Sequence, residues 1–216
     1  MSISENISEI KSQIPNNVTL VTVSKTKPNE ALLEAYNSGQ RDFGENYVQE
    51  LVDKQNELPK DIKRHFIGHL QSNKVKYIAP FVYLIHGVDS LKLLTEINKE
   101  ALKNNRIINC LLQLYIAKEE TKFGLNFEEA TELLSSKEFS ELKNISIKGF
   151  MAMASNTNDV EQIKNEFRSA HVFKNRYPNF TVLSIGMSSD YELAINEGST
   201  LIRVGSKIFG ERNYAV

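Results

Sequence analysis

The sequence lacks the features that mark secreted, membrane-spanning and nucleic-acid-binding proteins. It contains one cysteine, Cys110, so no disulfide can form within the chain. No apolar stretch approaches the roughly 20 residues of a membrane span, and the polar N-terminus has no apolar signal-peptide region. The net charge is only −1, so no basic surface for nucleic acid or an anionic membrane is indicated. These absences predict a protein of the reducing cytosol that binds neither nucleic acid nor membrane.

Several familiar catalytic and organisational patterns are also missing. No GxSxG, P-loop or GxGxxG motif occurs, so the corresponding hydrolase and nucleotide sites have no support. No linker rich in proline, glycine or serine and no block of like charge divides the 216 residues. The content of 41% apolar and 25% charged residues is typical of a globular protein. We therefore expect a single domain over residues 1–216.

Short apolar or β-branched runs alternate with amphipathic segments along the chain. After an N-terminal helix over residues 2–14, eight runs predict strands, each followed by a helix or helical turn. The predicted strands cover residues 18–25, 41–46, 65–70, 81–88, 107–116, 145–153, 180–186 and 200–205. Eight βαβ-type units in about 200 residues fit a closed (β/α)8 barrel with an extra N-terminal helix. The rival architecture is an open doubly wound sheet, which more often has roughly five to seven strands.

The first predicted strand ends in a lysine. Side chains alternate along a strand, so Val21, Val23 and Lys25 point to the same face. If that face is the barrel interior, Lys25 is partly desolvated, which lowers its pKa and frees the amine to form a Schiff base with an aldehyde. The alternative is an ordinary solvated lysine at the end of a strand.

The loops after the last two predicted strands are rich in small donors. SIGMSSD contains Gly186, Ser188 and Ser189, and RVGSKIFG contains Gly205 and Ser206. Barrels often hold phosphate with these two loops, where glycines let backbone N–H groups approach an anion and serines add donors. The alternative is that the glycines only allow tight turns.

Arg203 lies within an apolar strand and needs an acceptor. It shares a face with Leu201 and Gly205, which places it in the interior if the barrel closes. A buried arginine must be paired. Its partner is either a carboxylate such as Glu45 or a ring nitrogen or anion of a ligand.

The histidines and the cysteine favour structural roles. His65 and His69 are four residues apart, but they lie on a predicted strand and at its end, with no third ligand for a metal. His86 and His171 are interpreted as ordinary histidines with satisfied hydrogen bonds. Cys110 lies in the middle of a buried strand and is interpreted as a core residue.

Seven motifs in the same order resemble the pyridoxal phosphate homeostasis protein family, relatives of the alanine racemase N-terminal barrel. They are VTVSKTKP, FGENYVQE, HFIGHLQSNK, ETKFG, KGFMAMA, SIGMSSDYELAINEGST and RVGSKIFGER. The resemblance implies that Lys25 binds pyridoxal 5′-phosphate as an internal aldimine, that Arg203 faces the pyridine nitrogen and that Asn46 lies in the cofactor pocket. It also implies a set of phosphate-binding positions: Ser188, Gly205 and Ser206.

Two further residues belong to these motifs. Lys122, in ETKFG, is a second lysine that could exchange with Lys25 during cofactor loading, or an ordinary solvated loop lysine. Some relatives have proline where this chain has His69, so His69 is assigned no role.

The resemblance favours a cofactor carrier over a catalyst. An arginine opposite the pyridine nitrogen keeps that nitrogen unprotonated, which makes the ring a poorer electron sink. Alanine racemases add a second domain with a catalytic tyrosine, and this chain ends at Val216 without room for one. We therefore expect a monomer that carries or regulates pyridoxal phosphate, with pyridoxal-phosphate-dependent apoenzymes as partners. The alternatives are a single-domain amino-acid racemase and a cofactor-free Schiff-base barrel of the aldolase type.

Overall fold

The protein folds into a closed barrel of parallel strands, as seen in a computed structural model that describes residues 2–118 and 123–210. The eight strands follow chain order around the barrel, and the first strand pairs with both the second and the eighth. All of these strand pairings are parallel. The predicted (β/α)8 barrel is confirmed, and the open sheet is wrong because the eighth strand pairs with the first.

Helices alternate with the strands in the described parts of the chain. The strands are β1 Thr19–Val23, β2 Asp42–Glu45, β3 Lys63–Phe66, β4 Leu84–Val88, β5 Ile108–Leu114, β6 Ile145–Ala152, β7 Val182–Ser184 and β8 Leu201–Val204. The helices are α1 Ile3–Gln13, α2 Asn29–Asn37, α3 Val48–Glu57, α4 Val75–Ile78, α5 Leu91–Lys103, α6 Phe127–Ser135, α7 Lys137–Ser140, α8 Val160–Lys174, α9 Tyr191–Asn196 and α10 Ser206–Phe209. None of the helices described here has the length and apolar character that a bilayer crossing requires.

The third strand is the element that sequence reasoning placed least well. It was expected over residues 65–70, whereas β3 begins at Lys63 and ends at Phe66. The polar residues at its start, Lys63 and Arg64, do not by themselves predict a buried strand. Arg64 is buried nonetheless, because it donates hydrogen bonds to the carbonyls of Lys54 and Pro59. Gly68 lies beyond the strand, where a Cβ would meet the carbonyl oxygen of Asn46. The strand signal therefore came partly from apolar residues of the following loop.

The extra N-terminal helix is confirmed as α1. It begins with a capping box, in which the Ser2 hydroxyl accepts from the Glu5 amide and the Glu5 carboxylate accepts from the Ser2 amide. Ile7 and Ile10 are buried against a cluster formed by α2, β1, β8 and α10. The helix therefore packs on the side of the barrel where β8 meets β1, next to the loops that follow these strands.

The barrel interior changes from apolar to polar side chains within a few residues. An apolar cluster fills part of it: Val21, Leu84, Leu111, Met151 and Leu201. His65, His86 and Arg203 share inward-facing parity with these residues and are at most 4% exposed. The larger apolar core lies outside the strands, between barrel and helices.

Candidate functional site

A pocket of about 420 Å³ opens at the carboxyl ends of the strands. Its wall is formed by Val23, Lys25, Lys27, Asn46, Ile67, Met153, Met187, Ser188, Ser189, Arg203, Gly205, Ser206, Lys207 and Gly210. Barrel active sites lie at this face, because the loops that follow the strands meet there. The structure brings together all the site residues predicted from the sequence: Lys25, Asn46, Ser188, Arg203, Gly205 and Ser206.

Lys25 lies in a tight turn, two residues beyond the end of β1, and is half-buried. The amide of Lys27 donates to the carbonyl of Ser24 at 3.1 Å, which closes the turn. Thr26 has a φ of 63°, in the left-handed region, and its amide donates to Glu50 Oε1 at 2.6 Å. The turn is thus held by side chains from α3 as well as by its own backbone.

A buried ion cluster lies behind this turn, outside the barrel wall. Lys54 Nζ donates to the Ser24 carbonyl at 2.8 Å, to Glu45 Oε1 at 2.7 Å and to Glu50 Oε1 at 2.6 Å. The Ser24 hydroxyl also donates to Glu45 Oε1, at 2.6 Å. Burial raises the pKa of Glu45 to about 7, although the charge of Lys54 works in the opposite direction.

Sequence reasoning missed Lys54, although the chain carries a signal for it. Lys54 lies three residues after Leu51 and four before Leu58, so it occupies the apolar face of α3. Leu51 and Leu58 are buried, and Lys54 is only 6% exposed. A lysine at such a position must find a carboxylate, and Glu45 and Glu50 both provide one.

Arg203 is held by neutral acceptors in the barrel interior. Its Nη1 donates to the Ser184 carbonyl and to Ser184 Oγ, both at 2.6 Å, and its Nη2 donates to the Ala152 carbonyl at 3.1 Å. The suggested salt bridge to Glu45 is wrong, because that carboxylate is bonded to Lys54 and Ser24. Burial lowers the pKa of Arg203 to about 10, so the guanidinium remains charged at neutral pH.

The loops after β7 and β8 meet at the pocket. Ser188 Oγ accepts a hydrogen bond of 3.0 Å from the Gly205 amide, and α10 begins at Ser206. Gly186 has a φ of 96°, and a Cβ there would lie 2.7 Å from the Ala194 Cβ, so this glycine serves the turn. Gly205 has no positive φ, but a Cβ would lie 3.1 Å from the Val23 carbonyl oxygen, so glycine allows close packing onto β1. Hydroxyls and amides therefore converge at this side of the pocket.

The remaining predicted residues lie elsewhere or serve the core. His69 stacks on Phe123 with ring centroids 4.5 Å apart, outside the pocket wall. No cluster of potential metal ligands occurs within residues 2–118 and 123–210. Cys110 is confirmed as a core residue, and burial raises the pKa of its thiol far above the usual range. Lys122 lies outside the described residues.

Comparison with known proteins finds relatives along the whole chain. Residues 1–213 match the family described as "Alanine racemase, N-terminal domain". The chain is 38% identical to the pyridoxal phosphate homeostasis protein of Escherichia coli K12, with 99% of this chain and 98% of that protein covered. The corresponding protein of Aquifex aeolicus is 40% identical over 92% of this chain and 89% of its own length.

Solved structures also include relatives that match this chain along nearly its whole length. PipY of Synechococcus elongatus PCC7942, in a structure with PLP bound, is 36% identical and superimposes with a TM-score of 0.88. That alignment covers 97% of this chain and 100% of the PipY chain. An alanine racemase from Clostridium difficile 630 has a TM-score of 0.79 at 13% identity, and 58% of its chain is covered, so it shows similarity of fold alone.

Proposed function

Because the chain belongs to the pyridoxal phosphate homeostasis proteins, within the alanine racemase N-terminal domain family, we propose that it binds pyridoxal 5′-phosphate in this pocket. The proposal assigns the covalent contact to Lys25. The observation that carries it is that one pocket combines a half-buried lysine, a buried arginine and hydrogen-bond donors that suit a phosphate. Support also comes from PipY, a relative whose structure has PLP bound.

The residues present fit this cofactor. Pyridoxal phosphate supplies an aldehyde that an amine can hold, a phosphate that needs donors and a pyridine nitrogen. Lys25 provides the amine. The loops after β7 and β8 provide the Ser188 hydroxyl and the hydroxyl and amide of Ser206, while the Gly205 amide holds Ser188 Oγ in place. The buried Asn46 Oδ1 has no hydrogen-bond partner among the described residues, so it is an acceptor left for a ligand group.

The charge of Arg203 favours a site that binds the cofactor over one that stabilises carbanions. Three of its five N–H groups are engaged by protein acceptors, and its side chain lines the pocket. Its positive charge disfavours a proton on any basic nitrogen next to it. A pyridine ring kept neutral in this way is a weak electron sink. We therefore propose a carrier or regulator of pyridoxal phosphate, without efficient racemase activity.

The proposal extends to partners and compartment. Residues 1–216 form one cofactor-binding unit that works as a monomer in the cytosol and passes pyridoxal phosphate to dependent apoenzymes. The single cysteine, buried in β5, suits a reducing compartment. Restored activity of an apoenzyme mixed with the loaded protein, measured at limiting free cofactor, tests the transfer.

Borohydride trapping followed by peptide mass spectrometry tests the covalent contact. The purified protein is incubated with pyridoxal phosphate, reduced and digested, alongside Lys25→Ala and the matched control Lys27→Ala. Lys27 also lines the pocket, two residues away, so its loss controls for the removal of one nearby positive charge. The pyridoxyl label is expected on Lys25, absent in Lys25→Ala and retained in Lys27→Ala. A full label in Lys25→Ala would contradict the assignment, and sustained racemisation of alanine by the loaded protein would contradict the carrier role.

A further inference from the structure

A chain of hydrogen-bonded polar side chains runs through the barrel interior behind Arg203. Arg203 Nη1 lies 2.6 Å from Ser184 Oγ, which lies 3.0 Å from His86 Nδ1. His86 Nε2 lies 2.9 Å from His65 Nδ1, and His65 Nε2 lies 3.0 Å from Asp42 Oδ1. The two imidazoles, the serine and the arginine are each at most 4% exposed, whereas the Asp42 side chain is 16% exposed. The chain therefore links the pocket cation to a carboxylate at the first residue of β2.

With both imidazoles neutral, the carboxylate at one end of this hydrogen-bonded series allows one direction for each of its hydrogen bonds. A guanidinium can only donate, so Ser184 Oγ accepts from Arg203. With His86 neutral and protonated on Nε2, the Ser184 hydroxyl directs its own proton to His86 Nδ1. His86 must then carry its proton on Nε2 and donate it to His65 Nδ1. His65 likewise carries its proton on Nε2 and donates to Asp42, because an ionised carboxylate can only accept. One arrangement of protons therefore satisfies all the groups with both imidazoles neutral.

The surroundings favour the neutral imidazoles. Burial lowers the pKa of His65, although its bond to Asp42 works in the opposite direction. Burial lowers the pKa of His86 further below its usual value, and the charge of Arg203 adds to this effect. Lys63 Nζ is 3.9 Å from Asp42 Oδ2, and burial lowers the pKa of Lys11 although the charge of Asp42 works in the opposite direction. At the other end, the charge of Asp190 opposes the lowering of the pKa of Arg203 by burial, and the Tyr83 ring packs 5.2 Å from His65.

We propose that Asp42, His65, His86 and Ser184 are positioning residues that hold the Arg203 guanidinium in one orientation towards the pocket. The effect on ligand binding rests on the proposed function. The orientation of the Arg203 guanidinium determines which of its N–H groups, and how much of its positive charge, face the ring nitrogen of the cofactor. Among the described residues, Arg203 also donates to the carbonyls of Ser184 and Ala152, which are both neutral. A hydrogen-bonded chain that ends in an anion polarises each bond in the same direction, and it thereby strengthens the contact at Ser184 Oγ.

The proton arrangement and the orientation are tested without cofactor by nitrogen-15 NMR of labelled protein. Both imidazoles are expected as neutral Nε2–H tautomers between pH 6 and 8, and the two Nη groups of Arg203 are expected to give separate signals because rotation is restricted. Asp42→Leu, which removes the acceptor, should increase the rotation rate of the guanidinium about fivefold or more, whereas Asp42→Asn keeps an acceptor and should restore slow rotation. Asp61→Asn is the matched control, since it removes an exposed carboxylate that bonds Arg41 and takes no part in the hydrogen bonds between Asp42 and Arg203. An Nδ1–H tautomer at either histidine, or equal rotation in all variants, would overturn the proposal.

The loaded protein shows whether the chain affects the site. Ser184→Ala removes the hydroxyl that joins Arg203 to His86, and it keeps the backbone carbonyl. This variant and Asp42→Leu should weaken pyridoxal phosphate binding about fivefold, as expected for one weakened hydrogen bond, and both should shift the pH profile of the cofactor absorption. Unchanged affinity and pH profile in both variants, with normal thermal unfolding, would overturn the positioning role. If the proposed function is wrong, wild-type protein will give no borohydride label. The NMR experiment without cofactor then tests the positioning of Arg203 independently.

Discussion

Replacing Lys54 with methionine should destabilise the fold by an amount that increases with pH. The ammonium makes three hydrogen bonds under the Lys25 turn, and methionine fills a similar volume without charge. Losing the donor to the Ser24 carbonyl should cost about 1–2 kcal/mol at any pH. The rest of the effect comes from Glu45.

The magnitude of the pH-dependent part follows from the pKa of Glu45. That pKa is raised from 4.5 to about 7, so Glu45 binds a proton more tightly in the folded protein than in the unfolded chain. The folded protein therefore loses stability as the pH rises from 4.5 to about 7. The charge of Lys54 lowers this pKa, so in Lys54→Met it rises further and Glu45 stays protonated above pH 7. Wild type ionises there, so the penalty of the variant should grow by about 1.4 kcal/mol per pH unit above pH 7. At pH 8 we expect a total loss of about 3 kcal/mol, and at pH 6 about half of that.

Urea unfolding followed by circular dichroism at pH 6, 7 and 8 measures this dependence. The double variant Lys54→Met/Glu45→Gln has no titrating carboxyl at position 45, so the extra loss at pH 8 should disappear. Lys99→Met is the matched control, because Lys99 is 57% exposed and its pair with Glu96 should contribute less than about 0.5 kcal/mol. An equal penalty at pH 6 and pH 8, or a pH slope that persists in the double variant, would refute the reasoning.

Two further predictions concern turns and the core. Gly186→Ala should destabilise by about 3 kcal/mol, because it combines left-handed strain with a Cβ 2.7 Å from Ala194, whereas Gly39→Ala, with a φ of 90° and open space around it, should cost only about 1–2 kcal/mol. Equal losses in thermal or urea unfolding would show that the contact is irrelevant. Cys110 is fully buried, so native protein should react with a thiol reagent at least about 100-fold more slowly than urea-unfolded protein; rapid labelling of the native state would contradict its placement.

The sequence was sufficient for the architecture because the barrel depends on local signals. Eight apolar runs separated by helical segments predict the layer arrangement, and their number favours a closed barrel over the open sheet. The boundaries were less certain where a strand begins with polar residues, as β3 does at Lys63 and Arg64. Arg64 finds its acceptors on residues 54 and 59, and no local pattern shows that these carbonyls will be near.

The pocket could also be predicted in part, because strand ends converge at one face of a barrel whatever their sequence separation. Lys25, Asn46 and Arg203 meet for this reason. The hydrogen-bonded chain behind Arg203 was missed, since it joins residues of β2, β3, β4, β7 and β8. His86 was correctly interpreted as a histidine with satisfied hydrogen bonds. The partners of His65 and His86 depend on the register of neighbouring strands, and periodicity alone does not supply that register.

The pairing of Arg203 with Glu45 failed for a reason that strand parity makes clear. In β2, Asp42 and Gly44 face the barrel interior, as shown by the contact of a Gly44 Cβ position with Val21 at 3.0 Å, and Asn46 follows the strand with the same parity. Glu45 must then face outward, where it meets Lys54 of α3, while Arg203 faces inward with Leu201. The barrel wall thus separates two buried cations. Lys54 bonds carboxylates outside the wall, whereas Arg203 donates its hydrogen bonds to neutral acceptors inside it, where burial lowers its pKa and the charge of Asp190 opposes this shift. Lys25 and Arg203 both line the pocket, and their positive charges suit an anionic ligand.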